Sequence, residues 1–223
     1  MPPDFRADFH TRLTAAAEQL GLTLSDRQLD QLLAYLDLIQ KWNKVYNLTA
    51  VREPAAMLTQ HLVDSLSVLP PLARHAGDRA LRLLDVGSGG GLPGVVIAIC
   101  MPRFQVVCVD AVGKKARFIA QVAAELGLAN LRGEHARVEA LKLPPFDLIT
   151  SRAFASLVDF TTLTRQHLAP GAVWAAMKGQ HPADELAALP TDLEVFHVEP
   201  LLVPGLDAQR CLVWIRPKQT LGA

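Results

Sequence analysis

The chain has 223 residues, half of them hydrophobic, and carries 22 basic and 22 acidic side chains. This composition predicts one large domain, or one domain with a small appendage, and supplies ample apolar material for a core. Because the formal charge balances to zero, the chain as a whole does not attract nucleic acid, and any basic binding surface must be local.

The cysteines and the lengths of the apolar runs indicate the cellular compartment in which the protein works. Cys100, Cys108 and Cys211 are isolated in the sequence, which argues against a disulfide framework or a zinc site and fits a reducing environment. The first residues lack the apolar run of a secretory signal, and no stretch reaches the ~18 apolar residues of a membrane span. A cytoplasmic protein that does not enter a membrane is therefore expected.

Residues 1–77 are predicted to form a helical extension packed on a second part, residues 78–223. Pro54 is expected in the first turn of one helix, whereas Pro70-Pro71 and Gly77-Asp78 predict a break. Ser25 is a predicted N-cap, because apolar residues follow it at helical spacing: Leu29, Leu32, Leu33, Leu36, Ile39 and Trp42.

From Leu81 onward, short apolar runs alternate with amphipathic stretches. This alternation predicts an α/β fold with a mostly parallel sheet covered by helices on both faces. The predicted strands are 81–86, 105–110, 131–135, 146–151, 171–177, 193–199 and 210–216, and the predicted helices are 93–101, 113–126, 155–168 and 182–189. Gly127 is expected to end the second helix. The last two strands have no helix between them and are candidates for an antiparallel pair.

The most informative segment is a buried strand that ends at Asp85 and breaks into a glycine-rich turn reaching Gly94. Such a turn lets a ligand approach bare backbone amides. The pattern Asp-x-Gly-x-Gly-x-Gly is typical of methyltransferases that bind S-adenosylmethionine, but Gly89, Gly91 and Gly94 also match the dinucleotide pattern. The glycines alone therefore leave both cofactors open. Asp85 is a candidate to orient the turn or to receive the cofactor's ammonium group through water.

Three further segments should converge beyond the carboxyl ends of the strands, where such sheets bind ligands. Asp110 closes the second strand 19 residues past Gly91, close to the spacing expected of an acid that accepts ribose hydroxyls. That feature indicates a ligand that contains adenosine, and because both cofactors do, it does not distinguish between them. Arg137-Val138-Glu139 follows the third strand, and Arg152 follows the fourth, where packing alone does not explain a charge.

Two basic groups are candidates for phosphate binding: Lys41, Lys44 and Arg52, and later Lys114, Lys115 and Arg117. The sequence does not show whether they share a face, and solvated helix surfaces are the simpler interpretation. The histidines lack metal-ligand spacing, and Ser88 does not lie in a hydrolase elbow.

The order of these segments resembles the bacterial small-subunit ribosomal RNA (guanine-N7)-methyltransferase G family, also called the glucose-inhibited division protein B family. The resemblance runs from about Leu36 to Ile215, and three of its segments precede the glycine turn. The matching segments are Lys41-Trp42-Asn43 with Tyr46 to Thr49, Arg52-Glu53-Pro54, His61 to Ser65, Asp85 to Gly94, Gly113-Lys114-Lys115 with Arg117-Phe118, Ser151-Arg152-Ala153 and Lys178-Gly179-Gln180.

The resemblance implies a Rossmann-like class I methyltransferase with a seven-stranded sheet, S-adenosylmethionine as cofactor and a guanine of 16S ribosomal RNA as substrate. The cofactor contacts implied by position are Gly87, Leu92, Asp110, Val138, Glu139 and Arg152, and we add Asp85 and Gly89 from the glycine turn. The candidates for substrate contacts are Arg52, His61, Asp64 and Lys178. An alternative role for the first three of these is to tie the extension to the sheet.

Guanine N7 carries a lone pair and no proton, so its methylation requires no general base, and we assign no catalytic residue. The expected partner is 16S ribosomal RNA or an assembly intermediate of the small subunit, bound by a monomer without a metal. Three alternatives remain open. They are an NAD-dependent Rossmann oxidoreductase, a methyltransferase acting on a small molecule or protein, and a non-enzymatic RNA-binding module.

Overall fold

The structure is a computed structural model that describes residues 3–152, 154 and 156–218. Ala153 of the Ser151-Arg152-Ala153 segment and residue 155, the start of the helix predicted over 155–168, lie outside the described residues.

Two long helices, α1 (Pro3–Gln19) and α2 (Asp26–Tyr46), open the chain. Ser25 caps α2 as predicted: its hydroxyl accepts a hydrogen bond from the Gln28 amide, and the Gln28 side chain accepts one from the Ser25 amide. This reciprocal arrangement satisfies amide donors that the first turn of a helix leaves unpaired. The apolar stripe predicted from the sequence forms the buried face of α2.

Four short helical segments complete the part before the sheet: α3 (Pro54–Met57), a π-helical turn (Leu58–Val63), α4 (Asp64–Leu66) and α5 (Leu69–Ala76). The break predicted at Pro70-Pro71 is wrong, because both prolines lie in the first turn of α5. A first-turn proline sacrifices no helical hydrogen bond. The break predicted at Gly77-Asp78 is confirmed: α5 ends at Ala76, and the φ of +56° at Gly77 suits a residue without a side chain.

Seven strands form one sheet in the order β3-β2-β1-β4-β5-β7-β6. They are β1 (Arg82–Val86), β2 (Gln105–Asp110), β3 (Leu131–His135), β4 (Phe146–Ser151), β5 (Leu168–Lys178), β6 (Leu193–Pro200) and β7 (Cys211–Pro217). The first five pair in parallel, and β7 is antiparallel to both β5 and β6. The mostly parallel sheet and the antiparallel last pair are thus confirmed.

The helices between the strands are α6 (Gly94–Cys100), α7 (Gly113–Glu125), α8 (Leu157–Thr164) and α9 (Ala183–Ala187). Gly127 ends α7 as predicted, with φ +63° and the Leu128 amide bonded back to the Ala123 carbonyl. The helix predicted to reach residue 168 stops at Thr164. A 3₁₀ turn follows, and Leu168 already pairs with Phe146, so β5 starts three residues before the predicted position.

The sheet separates two apolar clusters because neighbouring residues of a strand point to opposite faces. Leu83 lies in the cluster that also contains α1, α2 and α6, whereas Leu84 lies in the cluster that contains α8. The helices before the sheet therefore share a continuous core with one of its faces. None of the helices in the described part of the chain combines the length and apolarity needed to cross a membrane.

Candidate active site

The predicted ligand-binding edge lies where the strand order reverses, between β1 and β4. The glycine turn leaves β1 at this edge and leads into α6. Gly94 is needed for packing, because an added Cβ would lie 2.3 Å from the Cys108 sulfur. Gly87 has a φ of +65°, and an added Cβ there would meet no atom within 4 Å. The turn therefore presents open space beside its first glycine.

Asp85 lies beneath this turn and is fully buried. Its Oδ2 accepts a hydrogen bond of 2.9 Å from the Gly94 amide, and its Oδ1 has no partner among the described residues. Burial raises the pKa of Asp85 to about 7, although the Gly94 bond opposes the rise. Through its bond to the Gly94 amide, Asp85 supports the turn from a position sealed from solvent. Its predicted contact with a cofactor stays a prediction.

Asp110 joins the glycine turn to the loop after β2. One carboxylate oxygen accepts from the Val112 amide at 2.8 Å, and the other accepts from the Gly89 amide at 3.0 Å. The Lys115 ammonium lies 3.7 Å from the second oxygen. Each carboxylate oxygen can accept more than one hydrogen bond, so Asp110 retains acceptor capacity toward the space in front of it.

That space is a first cavity of about 260 Å³. Val138 and Phe154 supply apolar walls, and Asp110 and Glu139 supply carboxylates. Apolar walls with a few polar groups are typical of a ligand site. The cavity is lined by Val86, Gly87, Val109, Asp110, Ala111, Ala136, Arg137, Val138, Glu139, Phe154 and Leu163.

A second cavity, of about 380 Å³, is bounded by the helical part before the sheet, by the end of β5, and by the residues just after β4 and just before β7. Three of its residues are cations, so we name it the basic cavity. It is lined by Gln60, His61, Asp64, Arg152, Met177, Lys178, Gly179 and Arg210.

The buried carboxylate of Asp64 organises this basic cavity. Its Oδ1 accepts from Arg210 Nε at 2.8 Å, and its Oδ2 accepts from Arg152 Nη1 at 3.1 Å. Arg152 also donates to the Gln60 carbonyl at 2.8 Å. Both arginine side chains remain about one quarter exposed while Asp64 is buried. One carboxylate therefore orients two arginines that both line the cavity.

His61 and Lys178 also line the basic cavity. The Nε2 of His61 lies 2.9 Å from the Thr49 hydroxyl, and burial together with the nearby Arg152 lowers the pKa of His61 to about 4. The imidazole is therefore neutral at pH 7. The Lys178 ammonium pairs with Glu185 at 2.7 Å. No cluster of histidine, cysteine, aspartate and glutamate suited to a metal occurs in the described part of the chain.

The structure sorts the predicted residues into two groups. Gly87, Asp110, Val138 and Glu139 line the first cavity, and His61, Asp64, Arg152 and Lys178 line the basic cavity. Arg152, predicted to bind the cofactor, thus lies with the substrate candidates.

Four predicted residues line neither cavity. Asp85 lies beneath the glycine turn and accepts from the Gly94 amide. Gly89 acts through its bond to Asp110, Leu92 is buried in the core, and Arg52 bonds to Asn47. Sequence reasoning missed Arg210 and Gln60, because nothing in their local sequence marks them.

The sheet order, the antiparallel last strand and the glycine turn define a Rossmann-like class I methyltransferase. A solved structure described as a SAM dependent methyltransferase from Aquifex aeolicus has this fold. The two chains superimpose with a TM-score of 0.55 at 17% identity, over 76% of this chain and 96% of the other.

The family described as rRNA small subunit methyltransferase G matches residues 28–213. A relative from Acidovorax sp. (strain JS42) is 61% identical over 94% of this chain and 96% of its own length, and one from Leptothrix cholodnii is 63% identical over 92% and 94%. Both relatives are named ribosomal RNA small subunit methyltransferase G. The chain belongs to this family, and the NAD-dependent alternative is not favoured.

Proposed function

We propose that this chain transfers the methyl group of S-adenosylmethionine to N7 of a guanine in 16S ribosomal RNA. The observation that carries the proposal is that two residues close together in the segment after β4 line two cavities of different chemistry. Phe154 lines the first cavity and Arg152, two residues earlier, lines the basic cavity. A nucleoside in one and an anionic nucleotide in the other would meet at this segment. The names of the relatives support ribosomal RNA as the substrate.

The residues of the first cavity fit S-adenosylmethionine, which when bound supplies an electrophilic methyl group. The free acceptor capacity of Asp110 suits the ribose hydroxyls, and the buried Val138 offers an apolar surface to the adenine. Glu139 offers a carboxylate to the adenine edge. The open space at Gly87 lets a ligand lie against the backbone of the turn.

The residues of the basic cavity would hold the nucleotide rather than move protons. Because guanine N7 carries no proton, these side chains need only to bind and orient the base and to exclude water. A donor directed at N7 would block the reacting lone pair, so Arg152 would contact O6, a phosphate or the cofactor. His61 is neutral and adds no charge beside the guanine, which becomes cationic on methylation.

The two parts of the chain would build this substrate site together. We propose that the extension, residues 1–77, supplies His61 and Asp64, and that the methyltransferase domain, residues 78–223, supplies Arg152 and Lys178. Arg52 would contact phosphates outside the cavity. The enzyme would act in the cytoplasm as a monomer on 16S ribosomal RNA or on an assembly intermediate of the small subunit. Light scattering checks the monomer.

The test is to incubate the protein with radiolabelled S-adenosylmethionine and small ribosomal subunits from cells that lack it. We expect label in 16S ribosomal RNA, N7-methylguanine in the nucleoside digest and strand scission after borohydride and aniline. Arg152→Ala should lower transfer sharply, whereas Arg132→Ala, outside both cavities, should not. A methyl group on a ribose, an exocyclic nitrogen or a protein contradicts the proposed reaction.

A further inference from the structure

All the basic residues that the sequence left unconnected, except Arg52, lie on two helices that pack side by side in opposite directions. Near the start of α2, Gln31 donates a hydrogen bond of 2.9 Å to the Leu126 carbonyl at the end of α7. Further along α2, the Trp42 ring lies 5.3 Å from the ring of Phe118, in the middle of α7. The C-terminal end of α2 therefore runs toward the first turn of α7.

This end of α2 exposes apolar and aromatic side chains that a water-soluble helix ordinarily buries. Val45 is 70% exposed and Tyr46 is 40% exposed. The Tyr46 ring lies 5.0 Å from the Trp42 ring, which in turn packs on Phe118. Tyr46 is thus an exposed ring supported from beneath by two others.

Four cations lie at the C-terminal end of α2 and in the first turns of α7. Lys41, Lys44 and Arg117 are exposed and Lys114 is partly exposed, and none of the four forms an ion pair with a described residue. Three carboxylates on α2 or on segments next to the two helices have other partners: Asp37 pairs with Arg6, Asp110 with Lys115, and Glu53 caps the Ala56 amide. We name the set Lys41, Lys44, Val45, Tyr46, Lys114 and Arg117 the α2–α7 surface.

The α2–α7 surface adjoins both cavities. Thr49, three residues after the end of α2, bonds to His61 of the basic cavity. Asp110, three residues before the start of α7, lines the first cavity. A strand whose target nucleotide occupied the basic cavity could therefore continue across this surface.

We propose that the α2–α7 surface binds a single-stranded stretch of the substrate RNA beside the target nucleotide. Tyr46 stacks on one base, and Lys41, Lys44, Lys114 and Arg117 neutralise phosphates. Aromatic side chains interleaved with cations bind single strands because every base has a face that can stack. The inference rests on the proposed RNA substrate and adds where the flanking strand lies.

The test compares three changes by fluorescence anisotropy with a labelled 12-nucleotide oligoadenylate RNA over a range of salt concentrations. Tyr46→Ala should weaken binding by about fivefold or more, and Tyr46→Phe should retain it, because stacking needs only the ring. The double change Lys44→Ala/Arg117→Ala should weaken binding and flatten the logarithmic salt slope by about 1.4. The matched control Arg27→Ala/Arg103→Ala removes two exposed cations near the opposite edge of the sheet and should change neither.

The outcomes distinguish failure of the α2–α7 surface from failure of the proposed function. Methylation of small-subunit RNA by the parent protein tests the proposed function alone. If the parent methylates RNA and the surface variants bind and methylate as well as it does, the α2–α7 surface is refuted while the function stands. Unchanged S-adenosylmethionine affinity in the variants supports a role in RNA binding, and an equal loss of cofactor affinity refutes it. A parent protein that methylates small-subunit RNA but does not bind the oligonucleotide also refutes the surface and leaves the function standing.

Discussion

At the scale of single residues, two aspartates at the ends of neighbouring strands are held in different ways. Asp110 has two amide donors and a nearby lysine, whereas Asp85 has one amide donor and no ion-pair partner among the described residues. An isolated buried carboxylate favours its neutral form, and this explains why the pKa of Asp85 rises to about 7. The two acids therefore differ in how readily each carries a negative charge toward a ligand.

Asp110→Asn tests the cofactor role of the first cavity. The amide has nearly the same shape but loses a charged acceptor, which should weaken S-adenosylmethionine binding by roughly 1.5–3 kcal/mol. Calorimetric titration of the folded variant gives the affinity. Asp147→Asn at the opposite end of the sheet, where Asp147 bonds the Arg82 amide, is the control. Unchanged affinity in Asp110→Asn would remove this residue from the cofactor site.

Asp85→Asn tests the raised pKa through the stability of the protein. Because the folded pKa of Asp85 exceeds the unfolded value, its stabilising contribution is complete below about pH 4 and is lost as the pH rises toward 7. The free energy of unfolding of the parent relative to Asp85→Asn should therefore fall through this window, by at most about 1.4 kcal/mol per pH unit. Denaturant titrations between pH 4 and 8 measure it, and parallel curves for the two proteins contradict the assignment.

At the scale of elements, α2 supports the glycine turn as well as the core. The Tyr35 hydroxyl donates a hydrogen bond of 2.5 Å to the Gly90 carbonyl, and the Tyr35 side chain is fully buried and stacked near Phe118. A helix that precedes the sheet thus fixes the backbone of the turn that is predicted to hold the cofactor.

Tyr35→Phe removes only this hydroxyl. The unpaired Gly90 carbonyl should lower the free energy of unfolding by about 1 kcal/mol, and the looser turn should weaken S-adenosylmethionine binding severalfold. Tyr46→Phe, which removes an exposed hydroxyl, is the matched control and should leave cofactor binding unchanged. Equal cofactor affinities for Tyr35→Phe and the parent would show that the turn holds its shape without α2.

At the scale of the whole molecule, one carboxylate joins the helical part to the sheet. Asp64 bonds Arg152 after β4 and Arg210 before β7, residues 88 and 146 positions away in sequence. Removing the charge would leave two partly buried cations facing each other, and breaking a buried ion pair is costly even where forming it gains little.

Asp64→Asn should therefore lower the free energy of unfolding by about 3 kcal/mol and abolish RNA methylation. The folded variant should keep most of its S-adenosylmethionine affinity, because Asp64 lines the basic cavity and not the first. Thermal unfolding, calorimetry and methyl transfer separate these effects. The exposed Asp78→Asn is the control. Cofactor affinity that falls as far as activity would place Asp64 in the cofactor site instead.

The sequence by itself determined the features that local pattern encodes. The alternation of strands and helices, the Ser25 cap, the Gly127 helix end and the acid-ended strands with their glycine turn all depend on residues a few positions apart. The errors are local too: Pro70-Pro71 suits either a break or a first helical turn, and the bulge that starts β5 leaves no periodic signal.

Only the tertiary structure decided how the basic cavity is built. Arg210, Gln60 and the pairing of Asp64 with two arginines depend on which distant segments pack together, and no local spacing encodes that. The same holds for the α2–α7 surface, whose two basic groups lie about 70 residues apart in sequence. A backbone pattern is set by neighbours along the chain, whereas the contacts of a long charged side chain are set by the packing of the whole fold.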